Sequence, residues 1–223
     1  QLGSAIDLPR VGRRPIAYRA LPASGSKAVG MNTTSGDAYK IALVVAHFDP
    51  GSGYWEPTVV PTLGLKSYVH VITSNVRTRG LPKVSEAVNG RYSAGVQEWR
   101  GVLLHRIQPL AYWRSRVLSL SVGRVLSRIQ PDRIVLSGSS QLITVPAVLW
   151  ARRNRRPVTF VSGEHDDQRP VARSLAAAAK LHYATLRRVQ IGFHARNAQR
   201  LVALTPDTAT AMRREAPRSP VLL

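Results

Sequence analysis

The densest group of side chains able to do acid–base chemistry is the segment Gly163-Glu-His-Asp-Asp167. It follows a predicted strand, so His165 is expected at the carboxyl end of that strand, where an imidazole could polarise or deprotonate an acceptor hydroxyl. Glu164 or Asp166 could orient the ring. The alternative is a polar loop in which Asp166 or Asp167 caps the next helix. A metal centre is not indicated, because a second, separated histidine ligand on the same element is missing.

A second candidate site is the turn Gly51-Ser-Gly53, directly after the first predicted strand. Glycines in such a turn let backbone N–H groups approach a phosphate, and the N-terminus of the following helix adds partial positive charge. A plain tight turn is the alternative. The residues that follow, Tyr54, Trp55 and Glu56, could line a sugar pocket, although the aromatic rings could equally pack in the core. His47, at the end of the first strand, could face the same cleft.

Several common nucleotide and hydrolase motifs are missing. A nicotinamide fingerprint needs a third glycine and an acidic residue closing the second strand, but that strand ends Val71-Ile-Thr-Ser-Asn75. No GxxxxGK[ST] loop occurs, and Ser137-Gly-Ser-Ser140 lacks the spacing of a GxSxG nucleophile elbow. A dinucleotide-dependent dehydrogenase is therefore not indicated.

The candidate segments lie between short apolar runs that alternate with helical patterns. We predict strands at 40–48, 68–74, 101–107, 133–138, 157–162 and 201–205, and helices at 55–67, 111–129, 139–154, 170–199 and 206–215. Segment 75–99 is predicted to be a long loop, and 219–223 a strand without an evident partner. Such alternation is typical of an α/β domain with a doubly wound, Rossmann-like parallel sheet, whose ligands bind at the carboxyl ends of the strands.

The composition is that of a globular protein of 223 residues with 44% apolar residues. The absence of Cys excludes disulfides, thiol catalysis and thiolate metal sites, and is compatible with a reducing compartment. Residues 1–38 are rich in Gly, Pro, Ser and Arg, and are predicted to form a basic flexible arm before a domain at 39–223. The sequence lacks the roughly 20 consecutive apolar residues of a spanning helix, so an integral membrane protein is not expected.

The largest deviation from average is charge. Lys and Arg number 32 against 12 Asp and Glu, which gives a net charge of +20, and 27 of the basic residues are Arg. Such a field favours a polyanionic neighbour, whether nucleic acid, an acidic membrane face or a phosphorylated substrate. Genomic base composition is an alternative source of the same Arg content.

Five segments, in this order, resemble the amino-terminal, acceptor-side domain of GT-B glycosyltransferases of the large retaining family 4. They are 47–57, 69–74, 130–135, 156–165 and 200–209. The resemblance covers about 40–223 and implies one half of a GT-B architecture that transfers a sugar, with retention, from a nucleotide-diphosphate sugar to a hydroxyl acceptor. It places Gly51 and Gly53 near the donor pyrophosphate and His165 in the acceptor and catalytic cleft. Glu164, Asp166 and Tyr54, from their positions in the sequence, are predicted to bind the acceptor. The sequence departs from the commonest family pattern by two extra residues between Pro157 and His165.

The resemblance also implies that most donor contacts belong to a carboxyl-terminal domain outside this sequence, in cis or on another chain. We therefore expect this chain alone to bind donor weakly and turn over negligibly, with no cofactor and no metal, the nucleotide sugar being a co-substrate. Members of the family often sit on the anionic face of a membrane, so a cytoplasmic, peripheral location is expected. The alternatives are a basic nucleic-acid-binding α/β module and a non-catalytic acceptor or anchoring subunit of a split glycosyltransferase.

Overall fold

The computed structural model describes residues 39–50, 55–77, 90–113, 116–138, 141–163 and 188–223. All of them belong to one compact unit, Asp37–Leu223. The predicted basic arm, 1–38, lies outside the described residues.

The described elements alternate between strands and helices along most of the chain. The strands are β1 (Lys40–Val44), β2 (Tyr68–Ser74), β3 (Gly95–Trp99), β4 (Val102–Ile107), β5 (Ala111–Trp113), β6 (Arg116–Leu118), β7 (Arg133–Ser137), β8 (Val158–Ser162), β9 (Arg200–Ala203) and β10 (Val221–Leu222). The helices are α1 (Trp55–Gly64), α2 (Ser121–Ile129), α3 (Thr144–Arg153), the helical residues 188–197, named α4, and α5 (Pro206–Glu215).

Eight strands form one sheet in the order β10-β9-β8-β7-β1-β2-β4-β3. Neighbouring strands run parallel except β3, which pairs antiparallel with β4 at the edge. The predicted α/β class with a doubly wound parallel sheet is confirmed.

The core lies on both faces of this sheet. Alternate residues of β1 point to opposite faces, so Ala42 and Val44 join one hydrophobic cluster, while Leu43 and neighbouring Val45 join the other. The second cluster includes Val60 of α1, and the first includes residues of α2, α3, α4 and α5. Burial on both faces explains why the central strands are continuous apolar runs rather than alternating ones.

The segment predicted to be a loop at 75–99 contains a strand. Residues 95–99 form β3, joined to β4 through Arg100 and Gly101, which have φ of 48° and 78°. Positive φ at both central residues is the signature of a two-residue type I′ hairpin. The prediction failed because β3 is an edge strand whose residues are mostly exposed, so it lacks the apolar run of a central strand.

The helix predicted over 111–129 is also wrong in its first half. Residues 111–113 and 116–118 pair as the antiparallel strands β5 and β6, and α2 begins only at Ser121. Val117 is fully buried and pairs with Tyr112, so its apolar character reflects a strand rather than a helix face. The segment 219–223 does have a partner, because Val221 pairs with Leu201 in parallel register.

None of the described helices is long and apolar enough to cross a membrane.

Two leucines test how much stability the central core provides. Leu136 on β7 is fully buried, whereas Leu149 on α3 is 54% exposed. We expect Leu136→Ala to lower the free energy of unfolding by about 2–5 kcal/mol, because it leaves a cavity between two layers. Leu149→Ala should change it by less than about 0.5 kcal/mol. Urea denaturation measures both, and equal effects would contradict the described burial.

Candidate active site

The sheet reverses its direction of growth at β1. From β1 the chain proceeds to β2 and β4 on one side and to β7, β8, β9 and β10 on the other. In doubly wound sheets, the crevice outside the carboxyl ends of the strands at such a switch point is where ligands bind. The switch point of this sheet lies between the carboxyl ends of β1 and β7.

A buried hydrogen-bonded pair spans this switch point. Glu56, in the first turn of α1, is buried, and Ser137, the last residue of β7, donates a hydrogen bond of 2.5 Å from its hydroxyl to Glu56 Oε1. Burial raises the pKa of Glu56, and the Ser137 bond and a backbone hydrogen bond oppose part of that effect. The Glu56 carboxyl group, which follows the predicted glycine turn in the sequence, is therefore protonated at a higher pH than an exposed glutamate.

A second contact across the switch point fixes backbone. Gln141, which precedes α3, accepts the Ala46 backbone N–H at 2.5 Å through its Oε1. The Gln141 side chain packs over Gly138, whose φ is 84°, so closely that a Cβ at Gly138 would lie 2.5 Å from the Gln141 amide nitrogen. Glycine is required there both by the left-handed backbone and by the lack of space.

Contacts on the β2 side of β1 fix the same backbone segment, Ala46 and His47. The Ser74 hydroxyl, at the end of β2, donates to the Ala46 carbonyl at 2.6 Å. His47 lies 3.0 Å from the Val76 carbonyl through Nδ1, which must therefore carry a proton and donate it. The half-buried imidazole thus ties the end of β1 to the segment after β2.

A buried cluster of charged side chains and one tyrosine surrounds residues 48–49, after β1. Arg106 on β4 is only 2% exposed, donates from Nη1 to the Phe48 carbonyl at 3.1 Å, and places its guanidinium 3.8 Å from the centre of the Tyr92 ring. Asp49 is equally buried and has Arg77 Nε 4.0 Å from its Oδ2. Buried charges are expensive unless paired, so these four side chains form a unit.

The pKa of Tyr92 reflects this environment. Burial raises it to about 12, assisted by the neighbouring Asp49 carboxylate and opposed by the charges of Arg106 and Arg77. The phenol therefore stays protonated beside Asp49. The cluster rigidifies residues 48–49 immediately before the glycine turn.

The carboxyl ends of β8 and β9 contribute a tighter contact. A Cβ at Gly163, after β8, would lie 3.0 Å from the Leu204 side chain. The Ser162 hydroxyl is buried and has no hydrogen-bond partner among the described residues. The chain therefore leaves β8 with Gly163 in close contact with Leu204.

The residues predicted to act in catalysis and binding lie outside the described residues. They are His165, Glu164, Asp166, Gly51, Gly53 and Tyr54. Their roles stay predictions. The structure does describe the residues that flank them, Pro50 and Trp55 on either side of the glycine turn and Gly163 before the histidine segment.

Most of the surrounding framework could not be found from the sequence. Arg77, Arg106 and Gln141 carry no local motif, because their partners lie 28, 58 and 95 positions away in the chain. A buried arginine inside an apolar strand was the one available signal, at Arg106. Among the described residues, no group of three or more His, Cys, Asp or Glu could hold a metal ion.

Comparisons with known proteins add little beyond this geometry. No protein-family model matches the chain, and no curated protein matches it. Among solved structures, it is similar to sucrose-phosphate synthase from Thermosynechococcus elongatus, with TM-score 0.48, 13% identity, and coverage of 81% of this chain and 46% of that one.

Two further solved structures are UDP-GlcNAc 2-epimerases. The enzyme from Methanocaldococcus jannaschii gives TM-score 0.42 and 14% identity over 81% of this chain and 45% of that one. The enzyme from Neisseria meningitidis, bound to UDP-GlcNAc, gives 0.40 and 16% over 82% and 46%. The chain spans about half the length of these structures. Likeness of this extent identifies neither a family nor an activity.

The pKa of Glu56 has a measurable consequence for stability. A raised pKa in the folded state means that stability falls as pH rises above the ordinary value of 4.5. Glu56→Gln keeps an oxygen that accepts from Ser137 and removes the ionisation. We therefore expect the unfolding free energy of the variant, relative to the parent, to increase between about pH 4 and pH 8. Glu98→Gln, on exposed β3, is the control and should show no such trend. A flat difference for Glu56→Gln would refute the raised pKa.

Two glycine substitutions test the packing at the switch point. Gly138→Ala should destabilise the fold by about 1–3 kcal/mol, since the new Cβ meets Gln141 and the backbone is left-handed. Gly123→Ala, within α2, meets only Trp150 at 4.0 Å and should stabilise by up to about 1 kcal/mol. Thermal unfolding compares the two, and a neutral Gly138→Ala would show that Gln141 is not fixed there.

Proposed function

We propose that this chain is the amino-terminal, acceptor-side half of a GT-B glycosyltransferase of the retaining family 4 type. In this proposal the complete enzyme transfers a sugar from a nucleotide-diphosphate sugar to a hydroxyl acceptor. The observation that carries it is the switch point between β1 and β7, where four side chains fix residues 45–49, which precede Gly51-Ser-Gly53 in the sequence.

The donor diphosphate is proposed to bind at the glycine turn. Gly51 and Gly53 would offer backbone N–H groups, and α1, ten residues long, would add the positive end of its dipole. Glu56 lies in the first turn of that helix, and an ionised carboxylate there would repel phosphate. The burial that raises its pKa reduces that repulsion, while the bond from Ser137 offsets part of this effect because it favours the ionised form. This supports an anion at the turn rather than a cation.

The acceptor is proposed to lie on the β8 side of the same edge. His165 would contact the acceptor hydroxyl or the transferred sugar, with Glu164 and Asp166 orienting the imidazole and Tyr54 lining the pocket. The acceptor oxygen forms a bond to the anomeric carbon, the bond from that carbon to the diphosphate oxygen breaks, and the imidazole of His165 takes up the hydroxyl proton. Gly163 packs against Leu204 at the end of β8. This contact fixes the point from which the His165 segment begins and supports the proposal.

The rest of the donor site is proposed to come from a carboxyl-terminal domain, in cis or on another chain. The resemblance of segments 47–57 and 156–165 to the amino-terminal domain of family 4 supports this part of the proposal. The net charge of +20 supports an anionic environment for the complete enzyme, including peripheral contact with an acidic membrane face, which gains about 1 kcal/mol per basic residue near the surface. No metal or other cofactor is invoked.

The catalytic assignment is tested in the polypeptide or complex that carries both halves. We expect His165→Ala to lower the sugar-transfer rate by about 10²–10⁴-fold, the range typical of a positioned acid–base group. His182→Ala, a histidine without an assigned role, is the matched control and should retain the rate. NMR of the product reports the anomeric configuration, which should be retained. Full transfer by His165→Ala would refute the role of that residue.

The donor proposal is tested separately on this chain. Uridine and guanosine diphosphate should bind with weak, millimolar-range affinity, and Gly53→Val should abolish the interaction by blocking backbone approach.

The positive charge favours nucleic acid as the second candidate function. Tight binding of single-stranded RNA with a steep salt dependence, and no response to nucleoside diphosphates, would favour that alternative.

A further inference from the structure

Two histidines on adjacent strands share a short contact that the proposed sugar transfer does not use. His70 on β2 and His105 on β4 bring Nδ1 and Nε2 to 2.9 Å, and their ring centres are 5.2 Å apart with a tilt of 32°. At this distance one ring nitrogen donates its proton to the lone pair of the other. The two ring nitrogens are therefore close enough to bind one ion in place of that proton.

The pair is held rigidly and remains accessible. β2 and β4 run parallel, with His70 opposite Leu103 and His105 opposite Ile72, so the two rings are diagonal neighbours on one face of the sheet. Both side chains are half-buried, and Leu103 beside them is exposed. Val96, opposite His105 on β3, is also exposed. A ligand bound between the rings could thus keep water on its outer side.

The spacing matches that of two ligands on one transition-metal ion. Metal–nitrogen bonds of about 2.0–2.1 Å place two nitrogens about 2.8–3.0 Å apart at a right angle and about 3.3–3.4 Å apart at the tetrahedral angle. The observed 2.9 Å corresponds to adjacent positions of a square-planar or octahedral ion. Imidazole suits Cu²⁺, Ni²⁺ and Zn²⁺, and the right-angled arrangement favours the first two.

We propose that His70 and His105 form a two-histidine binding site for a divalent late transition-metal ion, with Cu²⁺ or Ni²⁺ preferred over Zn²⁺. The metal would take the place of the proton between the rings, that proton would move to the other nitrogen of its own ring, and water would fill the remaining positions. The bound ion would link β2 directly to β4.

Electrostatic effects at His70 and His105 both favour and oppose the binding of a metal ion. Burial lowers the pKa of His105 to about 4, with a further contribution from His70, and burial together with Lys40 lowers the pKa of His70. Both rings are therefore neutral and able to ligate near pH 7. The charge of Lys40 weakens cation binding. Since no third protein ligand joins the pair in the described part of the chain, we expect moderate affinity.

The test is a titration of the full chain with Cu²⁺ and Ni²⁺ at pH 7.4 in a non-coordinating buffer, followed by calorimetry and by electron paramagnetic resonance of Cu²⁺. We expect one equivalent of metal with two-nitrogen coupling. His70→Gln and His105→Gln should each weaken binding by roughly tenfold or more, because the chelate is lost. The double variant should lose this equivalent. His47→Gln removes a half-buried histidine elsewhere and should leave it unchanged.

A second measurement separates ligation from structural damage. Circular dichroism and urea unfolding without metal report whether each variant folds. Ni²⁺ should raise the urea midpoint of the parent chain and of His47→Gln, and should not raise that of the folded double variant. Unchanged metal stoichiometry and two-nitrogen coupling in the double variant would overturn the proposal and place the ion at other residues. Absence of binding in the parent chain would overturn it equally.

Discussion

The rest of the site depends on the immobilised backbone of residues 45–49. This short segment leaves a strand buried on both faces, so its polar backbone groups enter a region with little water and need partners. Gln141 accepts a hydrogen bond from the Ala46 N–H, and Ser74 donates one to the Ala46 carbonyl. Arg106 donates a hydrogen bond to the Phe48 carbonyl. Because these partners come from both sides of β1, the segment is fixed relative to the whole sheet.

Fixing this segment has a cost in buried charge, which the cluster around Asp49 offsets. Arg106 is held by the Phe48 carbonyl and the Tyr92 ring, and Asp49 lies beside the Tyr92 phenol and the charge of Arg77. Removing one member would leave an uncompensated charge inside the protein, typically a loss of about 3–5 kcal/mol. The cluster therefore favours one conformation of the chain at the point where β1 turns towards α1. A pre-positioned segment such as 45–49 loses less conformational entropy when it contacts a ligand.

Sequence patterns predicted the strands that are buried on both faces, because short continuous apolar runs such as 40–44 and 133–137 are typical of strands covered by helices on each side. They failed where apolar residues were sparse or ambiguous: β3 is an exposed edge strand, and Val117 fits a helix face as well as the hairpin in which it lies. The sequence indicated Glu56 as a candidate because it follows the glycine turn. It did not predict the hydrogen bond from Ser137, because the two residues are 81 positions apart in the chain. Contacts of that kind arise from topology, and no local spacing encodes them. The roles of His165 and Gly51 remain predictions.

The most direct test of the central claim is hydrogen–deuterium exchange of the full chain with and without a saturating nucleoside diphosphate. If the switch-point crevice binds the diphosphate, protection should increase at the amides of residues 45–49 and 138 and in the first turn of α1. The amides of β9 and β10, further along the sheet, should not change. Protection confined to β9 and β10, or absent at the switch point while ligand is demonstrably bound, would contradict the account.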